Sequence, residues 1–193
     1  PQLPWATEAA LEYRSEAGDW DEALKLLGDG RSGSAEEKKA HARRKAVLLT
    51  ARAADRLDAD PKGAREDVHQ ALKLDENFVP AGLIEAKAYL REDNLRKAAA
   101  ILERLWKATA HGDVARLYVR ARSGDSATDR LKRAEKLEAM RPNNAEALYA
   151  VAEAALEARD FGLARAKAEA AARLSPRESA FLLLADIEDA ETG

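Results

Sequence analysis

The residues that could do chemistry in this chain are few and poorly placed for it. His41, His69 and His111 lie far apart, and none falls in a His-x-x-x-His or Glu-x-x-His pattern that would set two ligands on one helical face. Cysteine is absent, which removes disulfides, thiolate metal sites and thiol nucleophiles. Ser123-Gly124-Asp125-Ser126 spells part of a nucleophile turn, but it lacks Gly-x-Ser-x-Gly and no strand precedes it. It reads as a helix N-cap. Carboxylates are numerous, yet pairs such as Glu103 and Lys107 sit four residues apart, the spacing of a solvated helix face rather than of paired acid–base catalysts. No glycine-rich phosphate loop follows a strand. His111 is the least bland of these residues, because a helix opening at Gly112-Asp113 would offer free N–H groups to an anion. The chain is expected to have no catalytic centre and no metal site.

The elements that position these residues are set by a period. Pro142 and Pro176 stand 34 residues apart, and each ends a run rich in Leu and Ala. Ala64 and Ala98 are also 34 apart, and Ala98 to Ala164 is 66. Paired helices at a 34-residue period mark a tetratricopeptide array, whose units bury their apolar faces only by stacking on neighbours. Ala17-Gly18-Asp19-Trp20-Asp21-Glu22-Ala23-Leu24 carries the inter-helix turn. Gly accommodates positive φ, Asp accepts from the N–H groups opening the next helix, and Ala permits close approach. The expected fold is all-α, a right-handed tetratricopeptide solenoid of about eleven helices in one domain over 1–193. Repeat units fall at about 4–27, 35–75, 79–109, 112–142 and 145–176, with a capping helix over 177–190.

Several local features refine that frame. Gly28 to Ser34 is a loop of small and polar residues. Ser34 is expected to cap a helix from about Ala35 to Leu57, with Glu37 completing a capping box. That helix opens with Lys38, Lys39, Arg43, Arg44 and Lys45, read as a solvated face because Val47, Leu48 and Ala51 follow to be buried; a contact for an acidic partner or lipid headgroups is the other reading. Asp58 to Gly63 is expected as a turn before a helix at about Ala64. The fourth unit is irregular, with a short first helix (about Asp113 to Arg122) and Arg130 where alanine is expected. The fifth is regular, with Asp160-Phe161 as its turn and Ala164, Ala168 and Ala171 as contacts. Asp186, Glu188, Asp189 and Glu191 would keep the terminal helix soluble.

Apolar content is carried by Ala and Leu, with only 5% aromatic residues, which suits close helix packing. The net charge of −3, with both signs interspersed, creates no field that favours nucleic acid or an anionic membrane. No apolar run approaches the ~20 residues that span a bilayer. A chain beginning at Pro1 without Met reads as part of a longer protein. The functional surface is then a groove lined by the first helix of each repeat. It draws Leu49, Ala53 and Arg56 from the second unit, Leu83, Lys87, Leu90 and Arg91 from the third, and Tyr149, Glu153 and Leu156 from the fifth. Apolar strips bordered by charge suit a peptide, often an amphipathic helix. None of these positions is Asn, so a Lys/Asn clamp on a C-terminal carboxylate is not expected.

Some phrases are more particular than the repeat. Arg43-Arg-Lys-Ala-Val-Leu-Leu-Thr-Ala51, Val79-Pro-Ala81, Leu105-Trp106-Lys107, the run from His111 to Tyr118, Gly124 to Leu131 and Leu184 to Glu188 together resemble the C-terminal region of HemY-type proteins of proteobacteria. Those are membrane-anchored tetratricopeptide proteins linked to haem biosynthesis. The resemblance implies transmembrane helices upstream of Pro1, association with the bacterial inner membrane and a cytoplasmic placement of this part. It supplies no catalytic residues. The resulting expectation is a non-enzymatic scaffold with a protein or peptide partner, no nucleic acid and no cofactor. The alternative is a tetrapyrrole carrier, in which His111 serves as axial ligand to haem beside Trp106 and Tyr118.

Overall fold

Five helices among the described residues begin where a short polar side chain takes up a free N–H group. The structure, a computed structural model, describes residues 4–30 and 33–193, with side chains from Glu8 onward; Arg31 and Ser32 of the expected loop lie outside the described residues. Ser34 accepts from the Glu37 N–H at 3.3 Å while Glu37 accepts from the Ser34 N–H at 2.6 Å, the expected capping box. Ser126 and Asp129 form a second one. Asp60, Asn144 and Asp160 each accept from the N–H three residues on, at 2.9–3.1 Å. Asp60 moves one boundary. With its cap in place and proline at the first position, the helix starts at Pro61 rather than near Ala64.

The described residues form eleven α-helices and no strand, in two compact units, Pro1–Asn94 and Leu95–Gly193. The division falls at the inter-helix turn of the expected third repeat. The first unit holds α1 (Pro4–Glu16), α2 (Trp20–Leu27), α3 (Ala35–Arg56), α4 (Pro61–Leu74) and α5 (Val79–Arg91). Each packs on the next, and α3 also reaches α5. Ala46, Leu49, Ala53 and Leu57 project from one side of α3 into a core shared with Ala64, Val68 and Ala71 of α4 and Ala81 and Ala88 of α5. Their steps of three and four residues are the helical period. Val47, expected to be buried, is exposed instead. Two carboxylates are buried here, Glu85, which meets His69 at 3.0 Å, and Asp67. Asp67, 1% exposed, takes Arg52 Nε at 2.9 Å and Nη2 at 2.5 Å, and Arg56 Nη2 at 2.5 Å.

The second unit holds α6 (Leu95–Thr109), α7 (Gly112–Arg120), α8 (Ala127–Met140), α9 (Ala145–Glu157), α10 (Phe161–Leu174) and α11 (Glu178–Thr192). Successive helices pack together, and α7 touches α9 while α9 touches α11, so these three form one layer. Short loops make the neighbours antiparallel hairpins, the tetratricopeptide-like arrangement expected from the period. Trp106 is wholly buried, and its indole N–H donates to the Leu137 carbonyl at 2.9 Å. α7 ends at Arg120, two residues early. Arg130 is not a packing residue: it bonds Glu157 and the Asp125 carbonyl, each at 2.8 Å, and Ala134 fills the contact position. α11 carries the expected acidic residues in solvent, but it also exposes Phe181 and Leu182.

One turn is used three times. Gly18, Asp93 and Arg159 take positive φ of 72°, 56° and 60°. The following N–H bonds the carbonyl five residues back in each: Asp19 to Arg14, Asn94 to Tyr89 and Asp160 to Ala155, at 2.8–2.9 Å. This is the Schellman closure, and it satisfies carbonyls that the helix end leaves free. Asp19 departs from expectation, because its side chain makes no cap bond and instead takes Arg14 at 3.0 Å.

Ala98 and Ala164 are 0% exposed, so Ala98→Leu and Ala164→Leu should each overpack a helix contact and cost ~1–3 kcal/mol. Urea denaturation measures this, and unchanged midpoints in both variants would refute the assigned contacts. At the repeated turn, Asp93→Gly relieves a left-handed residue and should stabilise by about 0.5 kcal/mol, the gain being reduced by extra freedom in the unfolded chain. A lowered midpoint would count against the turn as described.

Candidate functional site

The irregular joint at the start of the fourth repeat opens the site. Ala110 takes a positive φ of 48° to close α6, and its N–H bonds the Trp106 carbonyl at 2.9 Å. His111 then caps α7, its Nδ1 accepting from the Asp113 N–H at 3.2 Å. Gly112 follows, and a side chain there would meet Glu146: an added Cβ would stand 2.6 Å from its Oε2. A hollow of about 400 Å³ lies against this joint, walled by α7, α9 and the start of α11. Glu146, Tyr149, Ala150 and Glu153 line it from α9 at i, i+3, i+4 and i+7, one face of the helix. An adjoining recess continues along α7 and α9, past Arg120 and Glu157, with Arg116, Ala150 and Glu153 shared between the two.

Most charges here are paired. Arg116 holds Asp113 at 2.8 Å. Arg177 grips Glu146 with both arms, one at 3.0 Å, and lies 5.0 Å over the Tyr149 ring. Glu157 takes Arg120 and Arg130. Glu153 is the exception. It makes no ion pair among the described residues, and burial pushes its carboxyl above the ordinary range, opposed by Arg116, Arg120 and a hydrogen bond with Tyr149 and reinforced by Glu157. Burial likewise raises the Tyr149 hydroxyl, with Glu153 adding to the rise.

Of the expected groove residues, Tyr149 and Glu153 meet at this hollow together with His111, while Leu156 does not line it. Leu49, at 1% exposure, and Ala53 are core, because the α3 face that carries them packs on α4 and α5. They are not groove residues. Arg56 is drawn to Asp67 and the Gly63 carbonyl. On α5, Leu83 and Leu90 are half-buried, Lys87 is exposed, and Arg91 pairs with Asp58 at 2.7 Å. Trp106 and Tyr118 do not join His111. The first is core, and the second bonds Glu103 at 2.7 Å, which also takes Lys136 at 2.7 Å. His41 contacts the Leu27 carbonyl and His69 contacts Glu85, each at 3.0 Å. Sequence reading missed Glu146, Arg116 and Arg177. The Glu146–Tyr149–Glu153 spacing was the available signal for the first. Among the described residues, no cluster of His, Asp and Glu could hold a metal ion, and no helix is long and apolar enough to cross a membrane.

No family model matches the chain. It is 27% identical over 187 residues to a protein of Magnetospirillum gryphiswaldense described as probable magnetosome protein Mms48. That match covers 95% of this chain but 41% of the relative, so the chain spans about two-fifths of the relative's length. Among solved structures, it resembles a crystal structure of MamA protein at 15% identity and a TM-score of 0.47, covering 96% of this chain and 90% of that one. A MamA RS-1 ArsTM double mutant matches at 17% identity and a TM-score of 0.46, covering 96% and 94%.

The raised Glu153 carboxyl has a consequence for stability. A carboxyl that titrates higher in the folded state contributes stability fully below its unfolded value, and that contribution is lost as pH rises through the folded value. Glu153→Gln should therefore gain stability relative to the parent as pH rises above about 4, the unfolded glutamate range. Urea midpoints from pH 4 to pH 8 test this, and a difference that stays flat with pH would overturn the assignment.

Proposed function

We propose that this chain is a non-enzymatic protein-interaction module whose hollow among α7, α9 and α11 receives a segment of a partner polypeptide. The hollow itself carries the reading. It is concave, continues into a second recess along the same two helices, and combines an aromatic ring with small walls and polar groups on helical supports. Ala115 and Ala150 keep the helix surfaces low, and Tyr149 supplies contact area at little conformational cost. Catalysis finds no support there. Asp113, Glu146 and Glu157 are each held by arginine, so no acid–base pair is poised for proton transfer.

The relative described as a probable magnetosome protein extends the proposal to context: a helical module that holds partners together in an assembly of that kind. The HemY-type resemblance rests on its sequence phrases alone, and neither the structure nor the relative adds to it. Haem synthesis and membrane anchoring are accordingly left out of the proposed function. The haem-carrier alternative also lacks support, since Trp106 and Tyr118 are engaged elsewhere and the His111 hollow is rimmed by charge.

Selection of peptides from a displayed random library tests the proposal. Enriched peptides should shift the amide resonances of Ala150 and Glu153, and Tyr149→Ala should weaken them roughly tenfold or more, as loss of an aromatic anchor does. Absence of enrichment, or peptides indifferent to Tyr149→Ala, would defeat it.

A further inference from the structure

We infer that the hollow is built for a cationic side chain, and that the partner segment inserts a lysine or arginine whose head meets the carboxylate of Glu153. This rests on the reading of the hollow as a partner site and adds the chemistry of what enters it. The pattern of pairing decides the sign of the occupant. Arg116, Arg120 and Arg177 already have carboxylate partners in Asp113, Glu157 and Glu146. Glu153 has none among the described residues, and it is half-buried where the hollow meets the adjoining recess. Such a carboxylate has lost part of its hydration without gaining a counter-charge. A cation brought beside it restores the balance and gains a charge-assisted hydrogen bond.

The opposite occupant meets resistance. The N-terminal ends of α7 and α9 carry partial positive charge, which ordinarily draws anions. Asp113 and Glu146, in the first turns of those helices, already answer that charge from within the chain. An acidic side chain would have to break the Arg116–Asp113 or Arg177–Glu146 pair and would face Glu153 as well. A lysine or arginine breaks nothing. Its stem lies along Ala115 and Ala150 while the head reaches Glu153, a division of apolar and charged parts that long basic side chains make readily. Arg116 and Arg120 face the same carboxylate from α7 and set the ceiling on affinity.

The test uses four heptapeptides identical except for a central Arg, Lys, Leu or Glu, titrated into the whole chain and followed by amide chemical shifts. The Arg and Lys peptides should shift Gly112, Ala150 and Glu153, weaken with added salt, and lose roughly tenfold in affinity in Glu153→Gln, equivalent to about 1.4 kcal/mol. Glu153→Gln keeps the side chain's shape, and a cooperative urea transition at pH 5, at or above the parent's midpoint, shows that it is folded. If the Leu or Glu peptide binds the same residues as tightly, or if Glu153→Gln leaves the Arg peptide unaffected, the cationic inference falls while the partner site stands. If no peptide of any charge binds, both fall.

Discussion

Close approach of helix backbones at alanine is the constraint on which both units depend. Ala46, Ala53, Ala64 and Ala71 in the first unit, and Ala98, Ala134, Ala147 and Ala164 in the second, are buried at or near helix contacts. Each methyl supplies little, since a buried CH₂ contributes about 0.8 kcal/mol, so stability must be gathered from many such contacts and a few large anchors. Trp106, Leu102, Leu105 and Leu137 are those anchors in the second unit. The same composition shapes the functional surface. Alanine at 115 and 150 lets α7 and α9 lie close together at their contact and leaves room above it, where a larger side chain would have filled the hollow from within.

Two carboxylates, Asp67 in the first unit and Glu153 in the second, are handled in opposite ways. Asp67 is enclosed and satisfied, with two guanidiniums converging on one carboxylate and Arg52 reaching on to Asp21. Removing one partner from such a group costs about 3–5 kcal/mol because a charge is left buried without compensation. Glu153 is less enclosed and lacks that convergence. Burial raises its carboxyl, and the nearest arginines are committed to other acids. Asp67 therefore holds three helices in one arrangement, whereas Glu153 has no ion pair of its own among the described residues.

Features with a local cause were legible in the sequence. The capping box at Ser34 and Glu37, the cap at Ser126 and the turns at Gly18 and at Asp160 each involve residues within five positions of one another, so spacing alone carries them. The buried alanines followed from the 34-residue period. Legibility failed where a choice between two sides of a helix was needed. Leu49 was expected in a groove and is core, because periodicity groups residues on a face without saying which face a neighbour covers. In the fifth repeat, Tyr149 and Glu153 line the hollow, while Leu156 does not. Their partners were invisible for another reason: Arg177 meets Glu146 across 31 residues, a distance at which charge pattern has no local signature.

The irregularity of the fourth repeat is what turns a packed stack into a site. At nine residues, α7 is about 13 Å long, against about 20 Å for the thirteen residues of α9. α7 nonetheless runs alongside α9 from Gly112, next to Glu146, to Arg120, which bonds Glu157. The chain ends α6 with a left-handed Ala110, spends His111 on a cap and starts α7 at Gly112, where an added Cβ would press on the carboxylate end of Glu146. Left-handed alanine is unfavourable by about 1–2 kcal/mol, and a cap formed by histidine is uncommon, so the joint is held in place by the surrounding fold rather than by local preference. The burial of Trp106, one turn before Ala110 and tied to the Leu137 carbonyl, is the interaction that can hold it. The indole sought as a neighbour for a cofactor thus serves the hollow from behind, by fixing where α6 ends.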